Sequence, residues 1–225
     1  MLKYDYIYDT RRGYLRGQNK DGLYYMRERE YSLAMIFDGV SSDDHAREGV
    51  DMAIAYARTR HTDFYDHHNK RYRLRDLIVG MDRILKGMSN KDIHTTCAII
   101  YLPAAEDETP RITHLGDSRI YGLDEGDLTC YTEDDNLPQF PHILTKCLGM
   151  FRIQDGDFYE KAIDRQHDTW LLCTDGFYEV MEVYPEDFAR AFLLEDLRSL
   201  RSELRELLGS RNRDDATYLI VRRPR

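Results

Sequence analysis

No window of the 225 residues comes near the roughly 18 consecutive apolar residues of a membrane span. The opening Met1-Leu2-Lys3-Tyr4-Asp5-Tyr6 lacks the apolar core of a secretory signal. The expectation is a cytoplasmic protein without membrane attachment. Cysteine is sparse: Cys97, Cys130, Cys147 and Cys173 lie far apart and form no C-x-x-C pair. They read as reduced, mostly buried thiols rather than a zinc site or a disulfide framework, with pairing in an oxidising compartment as the alternative. A basic excess is missing too. Lys and Arg number 32 against 41 Asp and Glu, a net charge of −9, so nothing draws the chain generally to nucleic acid or to an anionic membrane. No Pro/Gly/Ser-rich stretch and no internal repeat divides it, so residues 1–225 read as a single domain with a sizeable core, expected to be a monomer.

What is present is a set of short apolar or alternating runs rich in β-branched and aromatic residues. Tyr31 to Phe37, Cys97 to Leu102, Arg111 to Leu115, Ile120 to Leu123, Phe158 to Ile163, Thr169 to Cys173 and Thr217 to Val221 read as strands. Helical spacing links Val50, Ala53, Ile54 and Ala57, and then Leu74 through Met88. Pro185 can start a helix carrying Phe188 and Phe192, and a leucine series from Leu197 continues to Gly209. The polar, His-rich stretch from Arg58 to Arg75 reads as a solvated loop, with a metal site at His61, His67 and His68 as the alternative. Strands in groups with helices between them imply stacked sheets covered by helices, an α+β fold.

Four aspartates carry the chemistry. Asp38 ends the run Leu33 to Phe37, Asp175 ends Trp170 to Thr174, Asp214 precedes Thr217 to Val221, and Asp117 follows Gly116. Neighbouring strand ends would bring these carboxylates together, and an all-oxygen donor set suits Mg²⁺ or Mn²⁺. The competing explanation is plain: Asp38-Gly39 and Asp175-Gly176 are also the commonest sequence of a tight hairpin turn.

The order of motifs favours the metal. Gly13-x-x-Arg16-x-x-Asn19-x-Asp21 is followed by Phe37-Asp38-Gly39-Val40, Thr95-Thr96, Gly116-Asp117-Ser118-Arg119 and Thr132-Glu133-Asp134. Leu144-Thr145-x-x-Leu148-Gly149, Cys173-Thr174-Asp175-Gly176-Phe177 and Asp214-Asp215-Ala216-Thr217 complete the series. From about Asp9 to Arg222 the chain resembles the metal-dependent Ser/Thr protein phosphatases of type 2C in their compact bacterial form. The resemblance implies a four-layer α-β-β-α sandwich, two antiparallel sheets each flanked by a helical pair. It implies two Mg²⁺ or Mn²⁺ ions bridged by Asp38, the Gly39 carbonyl on the second, Asp175 and Asp214 on the first, and a weaker third ion on Asp117 with Asp175. Arg16 would grip the substrate phosphate and Asp21 would orient the attacking water. Asn19 would shape the loop. The substrate would be a phosphoserine or phosphothreonine protein, the opposing enzyme a Ser/Thr kinase, with an anti-sigma regulatory partner as another setting.

Three departures matter. Lys20 stands where the family has Glu or Gln, so its ammonium would oppose the second ion. Asp214-Asp215 replaces Asp-Asn and adds a negative charge. Only Leu137 to His142 separates the Thr132 to Asn136 region from Ile143, which implies a shortened flap and an open cleft. Val40 occupies the position of the family's histidine acid; the nearby His45 is expected to cap or flank the following helix, with donation of a proton to the leaving oxygen, should the Ser41 to Asp44 loop fold back, as the alternative. Lys20 favours the alternative of a non-catalytic regulatory module, and an open cleft would also suit a hydrolase of small phosphate esters.

Overall fold

The computed structural model describes residues 2–88, 93–164, 166–209 and 211–224. Ten strands make two antiparallel five-stranded sheets. In the first, β1 (Asp5–Arg11) pairs with β14 (Ala216–Arg222), which pairs with β13 (Thr169–Cys173), then β8 (Arg119–Asp124) and β9 (Asp127–Cys130). In the second, β12 (Lys161–Ala162), β7 (Arg111–Leu115), β6 (Cys97–Pro103), β3 (Tyr31–Phe37) and β2 (Gly22–Arg27) follow in that order. Two small hairpins, β4 (Tyr65–Asp66) with β5 (Arg71–Tyr72) and β10 (Asn136–Leu137) with β11 (Phe140–Leu144), lie outside the sheets.

The central strands are apolar on both faces because both faces are covered. Leu33, Met35 and Phe37 of β3 pack beneath α1 (Ala46–Arg60) and α2 (Leu74–Lys86), whereas Ala34 and Ile36 meet the other sheet. Leu171, Tyr218 and Ile220 likewise face α3 (Asp175–Val183), α4 (Pro185–Phe192) and α5 (Leu197–Leu208), while Trp170, Leu172, Leu219 and Val221 fill the inter-sheet layer. The expected four layers are there, with three helices rather than two on the C-terminal side. α3 goes unannounced in the sequence because it begins at Asp175-Gly176, which reads as a turn.

Phe158 to Ile163 is not a full strand: only Lys161–Ala162 pairs. Its Glu160 carboxylate is drawn instead to the start of α2, accepting from the Leu74 and Arg75 amides at 3.0 and 3.2 Å, which serves the otherwise orphan N–H groups of that helix. Arg58 to Arg75 is not a solvated loop either. α1 runs to Arg60, and Tyr65 and Tyr72 are buried against Tyr31. His61 is buried with them, its Nδ1 3.2 Å from the Tyr31 hydroxyl, while His67 and His68 are exposed, so the three histidines do not converge. Among the described residues no helix is long and apolar enough to cross a membrane. All four cysteines are free, with Cys97, Cys147 and Cys173 buried and Cys130 exposed.

Candidate active site

Strand register gathers the candidate residues at one end of the sandwich. Gly22 lies opposite Phe37, so Asp21 and Asp38 leave adjacent strands side by side. Cys173 pairs with both Tyr218 and Arg119, which brings Asp175, the Asp214-Asp215 segment and the β7–β8 turn carrying Asp117 to the same end of the other sheet.

Neither Asp-Gly is a hairpin turn. Gly39 forms an isolated bridge with Thr95, and a Cβ there would stand 2.9 Å from the Lys20 carbonyl oxygen. Gly176 lies in the first turn of α3, where a Cβ would meet the Asp215 carbonyl oxygen at 2.2 Å. Both glycines therefore serve close backbone approach rather than positive φ. Gly116 is different: its φ of +108° is a turn conformation, and Asp117 does stand in the turn between two strands.

Asp38 is clasped through its backbone. Its carbonyl accepts from the Thr96 amide at 2.8 Å and the Thr95 hydroxyl at 2.9 Å, and its own N–H donates to Thr96 Oγ1 at 3.1 Å. This leaves the carboxylate free to face the other acids. Burial raises the Asp38 pKa well above the usual carboxylate range, and the charges of Asp21, Asp175, Asp117 and Asp214 raise it further. Asp175 is pushed up to about 6 by burial and by Asp214. Asp117 is pushed up to about 7 by burial, Asp175 and Asp134. Asp21 is almost fully buried and also raised, chiefly by burial. Its Oδ2 accepts from the Thr174 hydroxyl at 2.9 Å, its N–H donates to Asn19 Oδ1 at 2.9 Å, and its Oδ1 has no partner.

Such a cluster of buried like charges, with one carboxylate oxygen unsatisfied, fits a divalent cation in its donor chemistry. The fit is incomplete as the side chains stand: among the described residues no three His, Cys, Asp or Glu side chains converge closely enough to hold an ion. One reason is visible. Both oxygens of Asp214 are engaged by Arg16, Nε to Oδ1 at 2.5 Å and Nη2 to Oδ2. Arg16 thus gives Asp214 the counter-charge a cation would give, and the pairing raises the Arg16 pKa. Arg16→Ala, at the residue expected to grip the substrate phosphate, should chiefly raise KM, because such a clamp acts in ground and transition states alike. It should also lower the Mn²⁺ concentration for half activity, since Asp214 loses its competitor; initial rates over a substrate-by-metal grid read both effects.

Two residues have roles other than those their charges suggest. The Lys20 ammonium is bound by the carbonyls of Ser41 and Asp43 at 2.9 and 2.7 Å. Asp215 accepts from the Gly13 and Lys20 amides at 2.9 and 2.7 Å, so it fastens the 13–20 loop over the strand β14 entry. It balances no lysine charge. Lys20→Glu should therefore shift the metal midpoint by less than about twofold, against the roughly tenfold that an ammonium opposing the ion would give. A Mn²⁺ titration of that variant beside wild type distinguishes the two. His45 precedes α1 and pairs with Glu48 at 2.9 Å. Thr174 stands in the sequence only as part of a motif, with no role of its own; its hydroxyl donates to Asp21 and accepts from the Thr217 amide at 3.0 Å, linking the two.

The raised carboxylates have a thermodynamic signature. A group whose folded pKa exceeds its unfolded value of about 4 binds protons more tightly when folded, so between those values stability rises as pH falls. With Asp175 near 6 and Asp117 near 7, the chelated protein should melt higher at about pH 5 than at about pH 7.5. Mn²⁺ should raise the pH 7.5 melting temperature by roughly 5 °C or more and remove much of the difference. Differential scanning fluorimetry in chelator and in Mn²⁺ reads it.

Comparison with known proteins identifies the family and the fold. The model of the protein phosphatase 2C family matches residues 16–209, and the chain belongs to that family of metal-dependent Ser/Thr phosphatases. Solved structures share the fold at low identity. PppA, a regulatory component of the type VI secretion system of Pseudomonas aeruginosa, superposes with a TM-score of 0.80 at 20% identity over 99% of both chains. The Ser/Thr phosphatase Stp1 of Staphylococcus aureus gives 0.78 at 18% identity, over 99% of this chain and 95% of that one. The catalytic domain of the phosphatase PstP, in complex with two manganese ions, gives 0.77 at 21% identity over the whole of both chains. No curated protein sequence matches the chain.

Proposed function

We propose that this chain hydrolyses phosphoserine and phosphothreonine in protein substrates at a binuclear Mg²⁺ or Mn²⁺ site at the end of the two sheets. The observation that carries the reading is the strand register that brings Asp21, Asp38, Asp175, the Asp214-Asp215 segment and Asp117 to one end of the sheets. When bound, the divalent ions supply Lewis-acid polarisation of the phosphoryl oxygens and lower the pKa of water. Asp38, Asp175 and Asp214 would hold them together with the Gly39 carbonyl, and Asp117 with Asp175 would hold a weaker third. Asp21, with Oδ2 fixed by Thr174, offers its free Oδ1 as the acceptor that orients the attacking water. Arg16 turns from Asp214 to the substrate phosphate, where its planar fork can donate two parallel hydrogen bonds. The β10–β11 hairpin is a shortened flap, and the whole chain acts as one domain, a cytoplasmic monomer opposing a Ser/Thr kinase. The tying of Lys20 to the Ser41 and Asp43 carbonyls takes away the feature that favoured a non-catalytic module.

Metal-titrated hydrolysis of p-nitrophenyl phosphate beside a phosphothreonine peptide tests the reading. Turnover should vanish in chelator and return with Mn²⁺ more than with Zn²⁺. Activity on neither substrate would overturn the catalytic reading, and activity on the aryl phosphate alone would redirect it to small phosphate esters.

A further inference from the structure

A groove of about 470 Å³ opens beside Asp175. One wall is α3, which presents Gly176, Val180 and Val183 at helical spacing and then Tyr184. The other wall is Tyr14 with Arg211 and Arg213. Both walls are tied to the residues of the proposed site. The Tyr14 and Leu15 amides each donate at 3.3 Å, to the carbonyls of Asn212 and Arg213, so the segment ending in Arg16 runs alongside the segment ending in Asp214. α3 itself begins at Asp175. The groove is therefore a continuation of the site.

Its lining is apolar and basic in a molecule whose net charge is −9. Val183 is 67% exposed and Tyr14 59%, well above what buried packing surfaces leave open. The Arg211 guanidinium lies 4.5 Å from the centre of the Tyr184 ring and bonds the Leu207 carbonyl, while the Arg213 guanidinium has no ion-pair or hydrogen-bond partner among the described residues. Against these two cations stands one lining carboxylate, Glu179.

We propose that this groove receives the polypeptide flanking the phosphorylated residue and selects a segment that carries an aliphatic side chain beside acidic ones. This rests on the phosphatase reading for the position of the phosphate. The aliphatic side chain lies between Val180, Val183 and the Tyr184 ring, and the acidic ones meet Arg211 and Arg213. A pocket of this size, mostly apolar with a few convergent charges, holds a few side chains rather than a folded surface. Charge complementarity here acts on selectivity and encounter rate, and it is screened by salt.

Three fluorescein-labelled phosphothreonine peptides of one length test it: one with Leu and Glu on the N-terminal side, one with them on the C-terminal side, and one with Lys in place of Glu. In chelator, where nothing turns over, anisotropy should show one acidic peptide binding at least about fivefold tighter than the basic one. The preference should shrink in high salt, disappear in Arg213→Glu and weaken in Tyr184→Ala. In Mn²⁺ the ratio of kcat/KM on that peptide to kcat/KM on p-nitrophenyl phosphate should fall in the same variants. Equal binding of all three peptides by wild type, or an undiminished preference in both variants, overturns the groove. Discriminating binding without hydrolysis of any substrate in Mn²⁺ upholds the groove and overturns the catalytic reading.

Discussion

Asp38→Asn should abolish turnover, lowering kcat by at least about a thousandfold, and at the same time make the metal-free protein more stable. The two effects have one cause. Asp38 sits where the charges of Asp21, Asp175, Asp117 and Asp214 meet, so its ionised form is tolerated only when a cation offsets them. Asparagine keeps the shape, and the backbone clasp by Thr95 and Thr96 does not involve the side chain. The melting temperature in chelator should rise at about pH 7.5, and the further rise on adding Mn²⁺ should be lost. A residue that merely shaped a turn would give the reverse, activity retained with stability unchanged or lowered.

Gly176→Ala should cost about 3 kcal/mol, the upper end of what overpacking a well-filled site costs. The added Cβ would lie 2.2 Å from the Asp215 carbonyl oxygen and 3.1 Å from that of Asp214. These are backbone atoms of the segment that carries a candidate ligand, so the clash cannot be relieved by turning a flexible side chain. For a domain of this size the loss corresponds to a drop of roughly 6–12 °C in melting temperature. Activity should fall with it even at temperatures where the variant stays folded, because α3 and Asp214 are pushed apart. Gly17→Ala, at a glycine with nothing within 4 Å of an added Cβ, is the control and should leave the melting temperature near wild type.

The parts of this molecule legible in the sequence are those whose residues have little choice. β3, β6, β13 and β14 are covered on both faces, so they appear as largely apolar runs, and β3, β13 and β14 have an aspartate at or near the site end. The β1 and β2 edge strands are half exposed and carry Tyr, Asp and Arg, so Asp5–Arg11 and Gly22–Arg27 show no pattern that separates them from loop. α3 is hidden by its own first residues, and Phe158 to Ile163 looked like a strand because nothing local reveals that Glu160 is drawn to the start of α2. Asp38, Asp175, Asp117 and Asp214 could be picked out because motif order resolves what a single Asp-Gly leaves open. Charge counting misled at Lys20 and Asp215. Their partners are backbone carbonyls and amides supplied by chain folded from elsewhere, Ser41 and Asp43 for the one and Gly13 for the other.

The central claim is that Asp38, Asp175 and Asp214 hold the catalytic ions. Titration calorimetry of Mn²⁺ into the metal-free protein, wild type beside Asp38→Asn, tests it most directly. Wild type should bind two ions in the strong phase, with proton release that increases as pH is lowered toward 6, the value near which the Asp175 carboxyl titrates. Asp38→Asn should show no strong phase. An isotherm unchanged by that substitution, or strong binding that releases no protons at any pH, would contradict the account.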